Sequence, residues 1–240
     1  AMERLMRQTS DNLLEDAFIQ RVAGARAYED TIGAAIRSAA LTGVDIDASF
    51  TDATTPLGQQ LAMVAKLIAG RSALGNSRQI FFVSVSGYDL HQDHLDAHSE
   101  LLAELSTSLM AFRNALVEAG DWDKVVAFTA SDFARTFTPN SADGKPGSDH
   151  AWGGHAMVMG GPVKGGDIYG HFPSLKLGDH AESIDVSGRG RWLPSISVDQ
   201  YSAILAKWFG VDSNSMETIF PNLPHFNDPY RTAEPNLRFI

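Results

Sequence analysis

The sequence predicts an α/β fold in which a mostly parallel sheet is flanked by helices. Three observations carry that expectation. Apolar residues return every three or four positions over long stretches, two short runs are apolar and β-branched, and one of the helical stretches lies between those two runs. A chain of 240 residues that is 44% hydrophobic is long enough for a sizeable core, so a single α/β domain over residues 1–240 is the simplest organisation.

From Asp11 to Leu41 the residues Leu13, Leu14, Phe18, Val22, Ala25, Tyr28, Ile32 and Ile36 form an apolar stripe, read as one long amphipathic helix or two shorter ones. Thr55-Pro56 starts a second helix, with proline in its first turn, which runs through Leu61, Val64 and Ile68 to Gly70. Gln79 to Ser86 is short, apolar and rich in aromatic and β-branched residues, the pattern of a buried strand. His94 to Ala119 returns to helical spacing and stops at Gly120, and Lys124 to Ala130 is a second strand. Strand, helix, strand in that order predicts a parallel crossover, which sets the loops after Ser86 and after Ala130 on one edge of the sheet, where ligands bind in such folds. Gly154 to Gly160 reads as a further short strand, Ser197 to Gly210 as a helix and Asn214 to Ile219 as a short last helix. The proline-rich tail after Pro221 is expected on the surface.

Composition narrows the function. With 19 basic and 29 acidic residues the net charge is −10, which argues against nucleic acid or an anionic membrane as the main partner, though not against an anionic substrate held locally. Cysteine is absent, so there is no thiol nucleophile, and a metal site must draw on His, Asp, Glu or Asn. No apolar stretch is long enough for a membrane span, the best, Leu61 to Ala69, being interrupted by Lys66. The first residues have no secretion-signal pattern.

Four segments carry candidate chemistry. In Gly87-Tyr88-Asp89-Leu90-His91, an extended chain points Asp89 and His91 the same way, which suits two ligands on one cation. His94 and His98 share a helix face, and the alternative for them is an ordinary helix surface. In Gly147-Ser148-Asp149-His150 and on to His155, glycine-flanked turns let Asp149 and His150 converge on an ion; alternatively the aspartate accepts from a structural histidine. In Ser131-Asp132-Phe133-Ala134-Arg135-Thr136, Asp132 is a ligand or an acceptor behind one, and Arg135 either grips a phosphate or sulfate oxygen or pins the loop through an Asp–Arg pair. The glycine run from Gly160 to Asp167 lacks the order of a phosphate-binding loop and reads as a tight connection.

Taken together, Gly87–His91, Ser131–Thr136, Gly147–His150 and Val163–Gly170 resemble, in order and spacing, the Domain of Unknown Function 1501 family. The stretch Gly188-Arg189-Gly190-Arg191-Trp192 to Gly210 is also similar, and the resemblance covers most of Thr55 to Phe226. The family commonly has Glu and Gly where this chain has Asp132 and Ala134. The resemblance implies a fold similar to alkaline phosphatases and sulfatases, a periplasmic or extracellular location reached by twin-arginine export, and a length about twice this one. On that basis the chain is expected to be the C-terminal half of a longer domain. Superfamily analogy makes Asp89 and His91 the ligands of one divalent metal, zinc, manganese or calcium. Asp149 and His150, with His155 nearby, then serve another metal or complete a shared one. It also implies a phosphate or sulfate ester, small or polymeric, as substrate, with Arg135 and Asp132 at the reacting group and no nucleophile identified in this chain. The competing expectation is a non-catalytic exported protein that keeps the fold for binding, or a half that assembles with another chain.

Overall fold

The computed structural model describes residues 12–233 and 236–240. Among them lie six α-helices and four short strands in two antiparallel pairs. The parallel sheet expected from the strand–helix–strand order is absent among the described residues. Each strand pair here is two or three residues long and antiparallel. By contacts the chain forms two compact units. One comprises the described residues up to Val85 with Glu104–Asp121, and the other comprises Ser86–Ala103 with Trp122–Ile240.

The first unit is helical. Helix α1 (Leu13–Ala40) is a single helix started by Asn12, whose side chain accepts from the Leu14 amide; Asp11, the expected start, lies outside the described residues. Helix α2 (Pro56–Ala69) is capped by Thr55 and opens on Pro56, as its sequence predicts. A single turn, α3 (Arg71–Leu74), follows. Ala35 and Ala39 at the end of α1 are buried, and Gly70 is there for close approach: a Cβ would overlap the carbonyl oxygen of Ala35. Leu14, Phe18 and Tyr28 of α1, which the stripe predicts to be covered, are exposed. Helix α4 (His94–Glu118) belongs by its later turns to this unit, where Phe112, Ala115 and Leu116 are buried.

Gln79 to Ser86 is not a strand. A strand requires a neighbour's backbone, and the backbone of Gln79–Val83 makes no hydrogen bond among the described residues. Only Ser84 is paired, by the side-chain amide of Gln60, which accepts from its N–H at 3.1 Å and donates to its carbonyl at 3.0 Å. Exposure alternates as on a pleated surface, with Ile80 80% and Phe82 91% exposed.

The second unit holds the strands. β1 (Val126–Phe128) pairs antiparallel with β4 (Val158–Gly160), so the run expected at Gly154 to Gly160 is a strand only at its end. β2 (Ala134–Arg135) pairs with β3 (His150–Ala151). Helix α5 (Val198–Phe209) begins in a reciprocal cap between Ser197 and Gln200 and ends at Gly210. Its buried Ile204 and Leu205 pack with Val126, Val158, Leu237 and Phe239, while Ala203 packs with Met216 of α6 (Ser213–Ile219) and with Leu223. The end of the tail is therefore core and not surface wrapping: Leu237 and Phe239 are apolar on alternate positions and fill the space beside α5.

Candidate metal centre

Three segments of the second unit are stitched together by main-chain bonds. The stretch after Gly87 runs beside Lys145–Ser148: the Ser148 amide donates to Leu90, Asp93 to Lys145 and His94 to Pro146. Gly147 permits that approach, since a Cβ there would overlap the main chain of His91. Asn140 reinforces it by donating to the His91 carbonyl and accepting from the Gly147 amide. On the other side, β2 and β3 set Arg135 opposite His150. The Thr136 hydroxyl accepts from the Asp149 amide, and the Thr136 amide donates to the Asp149 carbonyl.

The result is a convergence on one oxygen. Asp89 Oδ1 lies 2.6 Å from Arg135 Nη1, 3.0 Å from His150 Nε2 and 3.2 Å from His91 Nδ1. One ligand atom each from Asp89, His91 and His150 fall within 4.8 Å of one another, on exposed side chains. The imidazole of His150 is held flat against Phe133, with centroids 3.8 Å apart and planes 13° apart. Arg135 also donates through Nη2 to the Ser148 carbonyl at 2.6 Å and lies 5.8 Å from the Phe133 ring centre. Partial burial pushes the Asp89 carboxyl up, but the hydrogen bonds from His150 and Arg135 and the charge of both histidines outweigh it and hold it below its ordinary value. A cavity of about 570 Å³ opens beside the cluster, lined in part by His91, Asn140, Lys145 and Asp149.

The other expected site residues are placed differently. Asp149, adjacent to His150, turns to Arg189, whose Nη1 donates to Oδ2 at 2.8 Å; that bond holds the Asp149 carboxyl below its usual range. Asp132 is exposed and makes no hydrogen bond or ion pair among the described residues. His155 is exposed, its ring 6.4 Å from that of Phe172. His94 and His98 sit ring to ring, 4.9 Å apart, on the first turns of α4 and outside the cluster.

Sequence reasoning missed the loop that braces this shelf. Asp185 accepts from the amides of Gly178, Ser187, Gly190 and Arg191. Desolvation raises its carboxyl, but these four bonds prevail and depress it strongly. The loop they shape sends Arg189 to Asp149 and the Arg191 Nε to the His150 carbonyl. The alternation Gly188-Arg189-Gly190-Arg191, preceded by Asp185 and Ser187, was the available signal, since Asp and Ser close turns onto their own backbone.

The donor set decides which ions suit the cluster. One carboxylate oxygen and two imidazole nitrogens fit zinc or manganese, whereas calcium prefers six to eight oxygens. No curated protein and no solved structure matches the chain. The profile of the family described as "Protein of unknown function (DUF1501)" matches residues 2–188, which takes in the N-terminal helices and all three cluster residues but ends before Arg189. That match spans more than half of the sequence, and the chain belongs to the DUF1501 family.

Proposed function

We propose that the chain is part of a metal-dependent hydrolase of phosphate or sulfate esters. The observation that carries the reading is the meeting of Asp89, His91 and His150, drawn from two separate segments, with an arginine on the same carboxylate. A divalent zinc or manganese ion, when bound, supplies Lewis acidity toward an ester oxygen. The residues of the chain do the rest. Asp89, His91 and His150 hold the ion, Phe133 fixes the ring of His150, and Arg135 balances negative charge on the ester group. Arg189 and Arg191 hold the Asp149-His150 shelf in place.

The test is metal content. Protein purified without chelators is expected to carry near-stoichiometric zinc or manganese by element-resolved mass spectrometry. Asp89→Asn and His150→Ala should lose it with the fold retained by circular dichroism, while His155→Ala should keep it. Hydrolysis of aryl phosphates and sulfates by the loaded protein then distinguishes the ester. Absence of metal from the wild type would sink the proposal.

A second reading, a non-catalytic protein that binds another polypeptide, draws on the exposed Ile80 and Phe82 in Gln79–Val83, whose backbone makes no hydrogen bond among the described residues. It predicts a metal-free protein that associates in solution, checked by light scattering with and without Phe82→Ser.

A further inference from the structure

We infer that Arg135 is an anion-binding residue held in reserve on Asp89, and that a cation must enter the Asp89–His91–His150 cluster before Arg135 takes an anionic ligand. The inference rests on the metal reading above and adds an order of binding to it.

The first step is the economy of charge at Asp89 Oδ1. Arg135 Nη1 is its closest partner, at 2.6 Å against 3.0 Å for His150 and 3.2 Å for His91. In this state the guanidinium neutralises the carboxylate that a cation would use. A cation drawing on the same oxygen and on both imidazoles sits about 2 Å from each donor. It then lies beside the guanidinium and withdraws the carboxylate's charge, so the hold of Asp89 on Arg135 weakens by repulsion and by competition for one oxygen.

The second step concerns the unused donors of Arg135. A guanidinium has five N–H groups, and Nε of this one is buried with no hydrogen-bond partner among the described residues. A buried orphan donor is unfavourable, and its present position leaves it so. Two anchors do not depend on Asp89: the Ser148 carbonyl at Nη2 and the face of Phe133. Released from Asp89, the side chain therefore stays at the site with both N–H groups of Nη1 free for an oxygen of a phosphate or sulfate, while Nε, which shares its edge with Nη2, is still to be paired.

The third step is the sign of the local field. Without a cation, an incoming anion meets the carboxylate of Asp89, 56% exposed in its side chain, and finds the guanidinium already spent on it. With the cation in place the charge of the cluster reverses, and the freed arginine adds to it. Cation first and anion second is the order that this geometry favours.

Isothermal calorimetry on the full chain tests it, titrating zinc alone, then inorganic phosphate with and without one equivalent of zinc. Wild type is expected to bind zinc, and to bind phosphate at least about tenfold more tightly with zinc present. Arg135→Gln should bind zinc more tightly than wild type, on the order of tenfold, and lose the zinc-dependent gain in phosphate affinity. Arg135→Lys keeps the charge and guards against a folding defect in the first variant. It should hold zinc within about threefold of wild type and still bind phosphate more weakly, because a lysine lacks the second nitrogen that anchors the guanidinium to the Ser148 carbonyl. If neither wild type nor Arg135→Gln binds zinc, the metal reading fails and takes this inference with it. If wild type binds zinc and Arg135→Gln binds it more weakly, Arg135 is a fixed support of Asp89, and the inference alone is overturned. Equal phosphate affinity with and without zinc overturns it as well.

Discussion

The two units of the molecule are built by different means. The first is held by helices whose buried residues are mainly apolar, Ala35, Ala39, Leu61, Ala65, Phe112 and Leu116 among them, with Gly70 set against Ala35 for close approach. The second has a modest apolar core around α5, and around the cluster it is held by polar bonds instead: Asp185 gathering a loop, Asn140 joining two segments, Arg189 and Arg191 tying that loop to β3. The difference teaches where chemistry can sit. A buried seam takes a carboxylate only with a partner, as it takes Asp121 with Arg71, while a scaffold of side chain to backbone bonds keeps carboxylates ionised and within reach of solvent.

The largest expected effect lies in the first unit. Gly70→Ala places a Cβ on the Ala35 carbonyl and should cost about 3 kcal/mol, measured by urea unfolding, because the overlapping atom is backbone and cannot rotate away. If the comparison holds, zinc binding under native conditions survives that substitution. A smaller loss would show that α1 and α2 shift to accommodate it.

Acid should act on the second unit. Asp89, Asp149 and Asp185 all have carboxyls held below the ordinary value of 3.8. A depressed folded value means that each contributes stability in full above the unfolded value. That contribution is lost as the pH falls below about 4 and through the lowered folded values. The melting temperature is expected to fall most steeply below about pH 4, after an earlier and separate fall below about pH 6.5, because burial and the charge of His94 hold the His98 imidazole below its ordinary value. Asp185→Asn should make the fall below about pH 4 shallower while raising hydrogen exchange at the Gly190 and Arg191 amides at least about tenfold. An unchanged acid profile in that variant would remove Asp185 from the account.

The smallest effect is expected at Phe82 of the first unit. Phe82 is 91% exposed, so Phe82→Ser should change the stability of the isolated chain by about 0.5 kcal/mol or less. A larger loss would mean that the run Gln79–Ser86 is covered in solution.

Much of the helical structure was legible, and for local reasons. Thr55-Pro56, Ser197 with Gln200, and the glycines Gly120 and Gly210 mark the helix ends where the structure has them, since capping uses residues within one turn. The sheet was less legible. Gln79–Ser86 has the composition of a strand buried on two faces, but composition reports affinity for a pleated surface, not the presence of a partner. For the cluster, Asp89, His91 and His150 were each named from their motifs. The role of Asp185 was less legible: Asp and Ser beside Gly188-Arg189-Gly190-Arg191 signal a turn, but not that amides on both sides, that of Gly178 among them, close on one carboxylate.

Helix positions, their caps, the lack of cysteine and the clustering of aspartate and histidine near glycine were settled by the sequence alone, because each depends on residues a few positions apart. Only the tertiary structure decided which aspartate meets which histidine. Asp89 joins Arg135 across 46 residues and His150 across 61, while Asp149, the direct neighbour of His150, faces Arg189. Adjacent side chains on extended backbone point to opposite faces, so a neighbour in sequence is kept apart and a distant residue on the facing segment is brought into contact.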